Sequence, residues 1–267
     1  MSAIDIPVLR ADTSKALPPP VAAHDAQKFI EAGVIVLKDL LSPDRVATIN
    51  KAYATQFGEL THQSAAAYIK EVGDRRLMVA LEVAGAFSAP DIFANPVVLS
   101  IVDQLLGGDF ILGSYVAVTS MAGAKAQRLH TDQQGLFDDL ALDSAVPAYS
   151  VTLVIPLIDL NPTTGSTQFF PGSHRNRENG NPTGGDEIAP DTDPGDAILF
   201  DSRVTHGGTA NRSKAQRPIL YCTYHRAWYR DVSNFREMPP MIVDRAALDG
   251  MAEEHRKLMA WAAVEAQ

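Results

Sequence analysis

The sequence predicts an α+β fold, with a mainly β core and helices gathered on one side of it. Three observations lead there. Helical patterning dominates the chain up to Gly107-Gly108. Beyond it, short apolar runs alternate with glycine- and proline-rich turns, the pattern of a barrel or two-sheet roll. One further helical segment closes the chain.

The elements follow in order. Residues 1–22 read as an extended N-terminal arm, because Pro18-Pro19-Pro20 favours polyproline geometry, and residues 23–267 read as a single domain. His24 to Ala32 can form a short helix that ends at Gly33. Val34-Ile35-Val36-Leu37 is a compact β-branched run, hence a strand. Ser42-Pro43-Asp44 is a helix start: a hydroxyl cap, a proline at the first helical position and an acid in the first turn. Val46, Ile49, Tyr53 and Phe57 then recur at spacings of three and four, giving one apolar stripe. A second helical region covers Pro90 to Leu106. Strands are predicted at Phe110 to Thr119, Ser150 to Leu157, Gln168 to Phe170, Asp196 to Phe200 and Pro218 to His225, and a last helix at about Arg245 to Ala263. Asp138 to Pro147 and Arg175 to Pro194 read as loops near the mouth of the core.

Composition narrows the function classes. A chain of 267 residues with a net charge of −9 is acidic, which argues against nucleic acid and anionic membranes as partners. Cys222 is the only cysteine, so no intrachain disulfide can form, and its strand setting reads as a small buried hydrophobe. No stretch approaches the roughly 20 apolar residues of a membrane span, and no secretory signal is visible. A cytoplasmic protein acting on a small molecule is expected. The last helix can pack on its own core or on a second copy, so a homodimer is open.

Gln127-Arg128-Leu129-His130-Thr131-Asp132, with the distant His206 and Arg217, is the chemical signal. Two imidazoles and a carboxylate are the set that holds Fe(II) on one face and leaves positions open for a co-substrate and O2. If His130 and Asp132 alternate on a strand, both point the same way and Thr131 points away. Arg217 lies eleven residues past His206, where the next strand can carry it toward a small anion.

These residues, with Gly165-Ser166-Thr167-Gln168-Phe169-Phe170-Pro171-Gly172-Ser173-His174, His206-Gly207-Gly208 and Asn211, resemble the phytanoyl-CoA dioxygenase-type (PhyH-like) iron(II)/2-oxoglutarate oxygenases. Gly33-Val34-Ile35-Val36-Leu37 before Leu41-Ser42-Pro43 is similar too, and the likeness spans roughly residues 25–230. It implies a double-stranded β-helix core, a distorted, cupin-like jelly roll with flanking N- and C-terminal helices. It implies His130, Asp132 and His206 as iron ligands and 2-oxoglutarate as co-substrate. Arg217 would pair with the distal carboxylate, a match for a planar, always charged guanidinium. Thr167 would donate to the same carboxylate, Gln127 would bond the co-substrate, and Arg76 is a further candidate from its position ahead of the core. Hydroxylation is the default outcome, with desaturation or epoxidation as variants, and succinate and CO2 are released. The carboxylate of Asp132 argues against halogenation, since related halogenases carry a small residue there.

For substrate, Gln133, Gln134, Phe137, His225 and Trp228 are the candidate contacts, and small-metabolite or natural-product tailoring is the favoured role. His174 reads as a structural hydrogen-bonder, and Arg212 is disfavoured against Arg217 because it falls in a turn. Two other functions stay open: a cupin-like metalloenzyme working without 2-oxoglutarate, and a non-catalytic ligand-binding relative.

Overall fold

Local chemistry sets most boundaries. The computed structural model describes residues 4–133, 135–178, 181–182, 186–231 and 238–265. In chain order its first half contains β1 (Val8–Arg10), α1 (Pro19–Ala32), β2 (Val34–Lys38), α2 (Pro43–Phe57), β3 (Ile69–Glu71), β4 (Arg76–Ala80), β5 (Glu82–Val83), α3 (Pro90–Phe93), α4 (Pro96–Leu106) and β6 (Phe110–Ser120). There follow α5 (Leu140–Ala145), β7 (Ser150–Pro156), β8 (Thr167–Phe169), β9 (Arg177–Glu178), β10 (Asn181–Pro182), β11 (Ala197–Asp201), β12 (His206–Gly208), β13 (Arg217–Arg226), β14 (Ile242–Asp244), α6 (Arg245–Gly250), α7 (Glu253–Arg256) and β15 (Ala263–Glu265).

The α2 start is as predicted: the Ser42 side chain accepts from the Arg45 N–H at 3.2 Å, and Val46, Ile49, Tyr53 and Phe57 are its buried residues. Such a cap contributes about 1 kcal/mol. Helix α1 ends in a left-handed turn at Gly33 (φ 74°).

Four expectations need correction. The arm is not wholly extended: its strand β1 pairs with β2, but α1 begins within it at Pro19 rather than at His24. Proline suits the first turn, where its missing N–H has no helical acceptor to lose. The region Pro90 to Leu106 is two helices, because Asn95 precedes Pro96, is held extended (ψ 128°), and caps α4 through the Val97 N–H. The stretch Asp138 to Pro147 contains α5, started by an Asp139 cap on Leu142. The terminal helix is broken: α6 ends at Gly250, a weak helix former, and Met251 turns extended (ψ 147°) and is buried.

One sheet of eight strands, ordered β1-β2-β11-β7-β13-β6-β4-β3, carries the fold; every pair except β1–β2 is antiparallel. A small antiparallel pair, β12–β8, faces it, giving the two-sheet roll. Strand alternation sorts the faces. Leu37, Leu153, Leu199, Leu220, Cys222 and Tyr224 pack with Ile49, Tyr53, Ile101 and Leu105 of α2 and α4. Val36, Val154, Ile198, Phe200 and Ile219 pack the other way, against Phe169 of β8. Each such side chain contributes about 1.5–3 kcal/mol by burial. The central strands are therefore covered on both faces, and the inner face of β13 continues past Ile219 to Tyr221, Thr223 and His225. Among the described residues, no helix is long and apolar enough to cross a membrane.

Candidate metal centre and cavity

His206 opens β12, and its backbone exchanges two 2.9 Å hydrogen bonds with His130. Gln127 N–H donates to Gly208 O at 2.8 Å and Gln133 N–H to Ser202 O at 3.0 Å, so the segment is stitched at three points. It is not a strand; only His130 forms a bridge, and Asp132 sits in a bend. The strand-alternation argument for His130 and Asp132 is thus corrected: they converge because His130 is paired to His206 and the chain then bends back.

One ligand atom from each of His130, Asp132 and His206 lies within 4.8 Å of the others. Asp132 Oδ1 is 3.7 Å from His130 Nε2 and 3.5 Å from His206 Nε2. Both Nδ1 atoms are bound to carbonyls, His130 to Arg128 O at 3.0 Å and His206 to Val204 O at 2.9 Å. A carbonyl only accepts, so each Nδ1 carries the proton and each Nε2 turns a lone pair toward the centre. Burial pushes the Asp132 carboxyl up, but His206 and His130 outweigh it and hold it below the usual carboxylate range. Burial and the neighbouring His206 hold the His130 imidazole down. Burial lowers His206 as well, yet Asp132 more than offsets this and raises it. Two imidazole nitrogens and an ionised carboxylate on one side of an open cavity fit a divalent iron.

The triad opens into a cavity of about 520 Å³ between the two sheets. At one end, beside the lining residues Gly208 and Tyr221 but not themselves lining the cavity, Arg76 and Arg217 both pair in register with Ser120, one on each side of β6. They are 0% and 2% exposed. Arg76 donates to Ser120 Oγ and Thr209 O, each at 3.2 Å, and to Lys125 O at 3.4 Å; Arg217 donates to Ser166 O at 3.2 Å. Neither has a carboxylate partner among the described residues, and both Nε atoms lack one of any kind. Burial, then repulsion by Arg76, lowers the Arg217 pKa to about 10. Thr167 lines the cavity beside Tyr221. Gln127 lines it too, but its amide is used elsewhere: Oε1 accepts from Gly208 N–H at 2.9 Å and Nε2 donates to Val72 O at 2.8 Å.

At the other end lie His225 and Gln133. Gln133 Nε2 donates to Asp231 at 2.7 Å, and Tyr229 donates to its Oε1. Phe137 and Trp228 are corrected: neither lines the cavity, and they are 47% and 65% exposed. The chain turns outward after β13, where Tyr229 N–H donates to Arg226 O. Gln134 lies outside the described residues. Arg212 donates to Pro162 O on the surface, and His174 Nε2 meets Ile30 O at 3.1 Å. Cys222 is fully buried and burial pushes its thiol up.

Sequence reasoning missed Tyr221 and Asp231. Tyr221 stands between the arginines and the triad; burial raises its pKa, with Asp132 next. Counting by twos from Arg217 along β13 finds it. Asp231 follows the strand end and has no such signal.

The profile of the phytanoyl-CoA dioxygenase (PhyH) family matches residues 29–219. The chain is similar to dioxygenase trt7 of Aspergillus terreus, at 26% identity over 96% of this chain and 90% of that protein. It is similar to the Fe(II)/2-oxoglutarate-dependent dioxygenase nvfF of Aspergillus novofumigatus, at 25% identity over 76% and 74% of the two chains. Among solved structures it resembles the non-heme α-ketoglutarate-dependent epimerase SnoN from nogalamycin biosynthesis. The TM-score is 0.61 at 17% identity, over 83% of this chain and 91% of that one.

Proposed function

The chain belongs to the phytanoyl-CoA dioxygenase family, and from that premise we propose how its cavity divides the work of an Fe(II)/2-oxoglutarate-dependent dioxygenase. His130, Asp132 and His206 would hold the iron, and Arg217, aided by Arg76 and Thr167, would hold the distal carboxylate of 2-oxoglutarate. With O2, that pair supplies the oxidising chemistry: the keto acid is split to succinate and CO2 while a substrate is oxidised. The protein's own part is position and exclusion. The Nδ1 bonds to Arg128 O and Val204 O keep both imidazoles aimed and in one tautomer. The two sheets keep bulk water from the arginines.

The observation that carries the co-substrate assignment is the side-by-side burial of Arg76 and Arg217 without a carboxylate among the described residues. Two such cations cost several kcal/mol unless an anion joins them. A dicarboxylate whose far end reaches them while its near end meets the triad answers that cost. The substrate would be a small organic molecule and the role tailoring in secondary metabolism, which the named relatives support. A reduced, cytoplasmic setting agrees with the single, buried Cys222.

Anaerobic addition of Fe(II) and 2-oxoglutarate is the test. A visible charge-transfer band that needs both components, and succinate release on admitting O2, are expected. Intact iron-loaded protein that shows no band would overturn the co-substrate assignment and favour a metalloenzyme that works without keto acid.

A further inference from the structure

His225 is 1% exposed, lines the cavity, and has no hydrogen-bond partner at either ring nitrogen among the described residues. Leaving such groups unmade costs about 1–3 kcal/mol each. The fold makes room for this ring on purpose of geometry: between Thr223 and Tyr224 the β13–β6 register shifts, and Gly113 is the extra residue. A Cβ on Gly113 would lie 2.3 Å from His225 Nδ1 and 2.6 Å from its Cε1. The bulge with its bare backbone therefore admits the imidazole, a use bulges often have beside binding sites. The Nδ1–Cε1 edge lies over Gly113, so Nε2 is the atom left for a ligand. Tyr229, packed edge-on at 5.3 Å, is the side chain that stands over the ring.

The surroundings select the ligand. Met78, Ala80, Val116, Val118 and Met241 make the wall apolar. Asp231, the acid facing His225, accepts from Gln133, and its negative charge disfavours a carboxylate beside it. Beside Tyr229 the apolar character continues in the exposed Trp228, whose ring lies 6.2 Å from the Tyr229 ring.

We propose that His225 is a specificity-determining residue that anchors one uncharged oxygen, a hydroxyl or carbonyl, of an otherwise apolar substrate, with Tyr229 turning aside to admit it. This rests on the dioxygenase reading and deepens it by naming the substrate class.

The test uses full-length protein loaded with redox-inert Zn(II) and 2-oxoglutarate, and three matched probes: trans-decalin, trans-2-decalol and trans-2-decalone. The alcohol or the ketone should bind about tenfold or more tighter than the hydrocarbon, and should move a His225 ring ¹⁵N resonance. His225→Leu should abolish that preference, and His225→Gln, which keeps a donor and an acceptor, should retain part of it. Equal affinities, no binding of the oxygenated probes, or a preference that survives His225→Leu would overturn the proposal. Binding of 2-oxoglutarate is measured separately in each variant. Its failure would sink the co-substrate assignment, while the decalin comparison stays readable on the Zn(II) protein.

Discussion

Just beyond the lining at one end of the cavity two guanidiniums lie side by side; at the other end a single imidazole lies over the bare backbone of Gly113. Among the described residues, both ends hold buried nitrogens without partners. The difference is charge. Arg217 remains protonated at neutral pH although burial and Arg76 lower its pKa to about 10. His225 is pushed by burial to about 4 and is neutral there, with Asp231 offsetting only part. A buried cation pair demands an anion, and a buried neutral ring asks only for a dipole. One cavity can therefore take an anionic co-substrate at one end and an uncharged substrate at the other without the two competing.

The comparison breaks most visibly at Arg217. Arg217→Met keeps the aliphatic volume and removes the charge. Affinity for 2-oxoglutarate, read by calorimetry, should fall by about 10²- to 10³-fold, the cost of leaving a desolvated carboxylate unmatched. Thermal stability of the ligand-free protein should rise, because the charge was buried beside Arg76 without compensation. A loss under about tenfold would move the carboxylate away from this residue.

At the histidine end the signature is pH. The folded pKa of His225 is lowered from 6.5 to about 4, so its contribution to stability is complete above 6.5 and is lost as pH falls toward 4. Urea unfolding should show the wild type losing about 3 kcal/mol more than His225→Leu across that window. Identical pH slopes would mean that the ring is not held neutral, and 2-oxoglutarate affinity should be unchanged in the variant.

Arg76 sharpens the arginine end. It already donates to Ser120, Thr209 and Lys125, whereas Arg217 donates to Ser166 alone. Arg76→Lys should weaken 2-oxoglutarate binding about tenfold, less than Arg217→Met, because a lysine keeps the charge but not the planar fork. Equal losses in titration would show that the two arginines share the carboxylate evenly.

The two ends also differ in how far the sequence reveals them. Arg217 is legible because it follows His206 on the next strand, and α2 is legible because its cap and stripe are local. His225 could be singled out only as one of five candidate substrate contacts. Its distinguishing feature, a bulge at Gly113 on β6, depends on register between strands more than 100 residues apart in sequence. Strand β4, which carries Arg76, is five residues long without strict alternation, so Arg76 could be placed only roughly. The three triad residues come together as their types suggest, but not by strand alternation, since His130 is held by one bridge to His206. Local signals survive in a sequence; cross-strand register and bends do not.

Gln127 is the smallest and most discriminating case. The sequence places it three residues before His130 and suggests a co-substrate contact, but its Oε1 accepts from Gly208 and its Nε2 donates to Val72. On that geometry it is a clamp that holds β12 to the segment before β4. Gln127→Leu should then cost about 1 kcal/mol of unfolding free energy, since water in the cavity can serve part of what is freed. Its 2-oxoglutarate affinity should stay within about threefold of wild type, a difference worth well under one hydrogen bond to a charged group. Unchanged stability with a tenfold loss of affinity would reverse the assignment and make Gln127 part of the arginine end. Measuring both quantities on the same variant separates the two, because a clamp moves the melt and a ligand contact moves the titration.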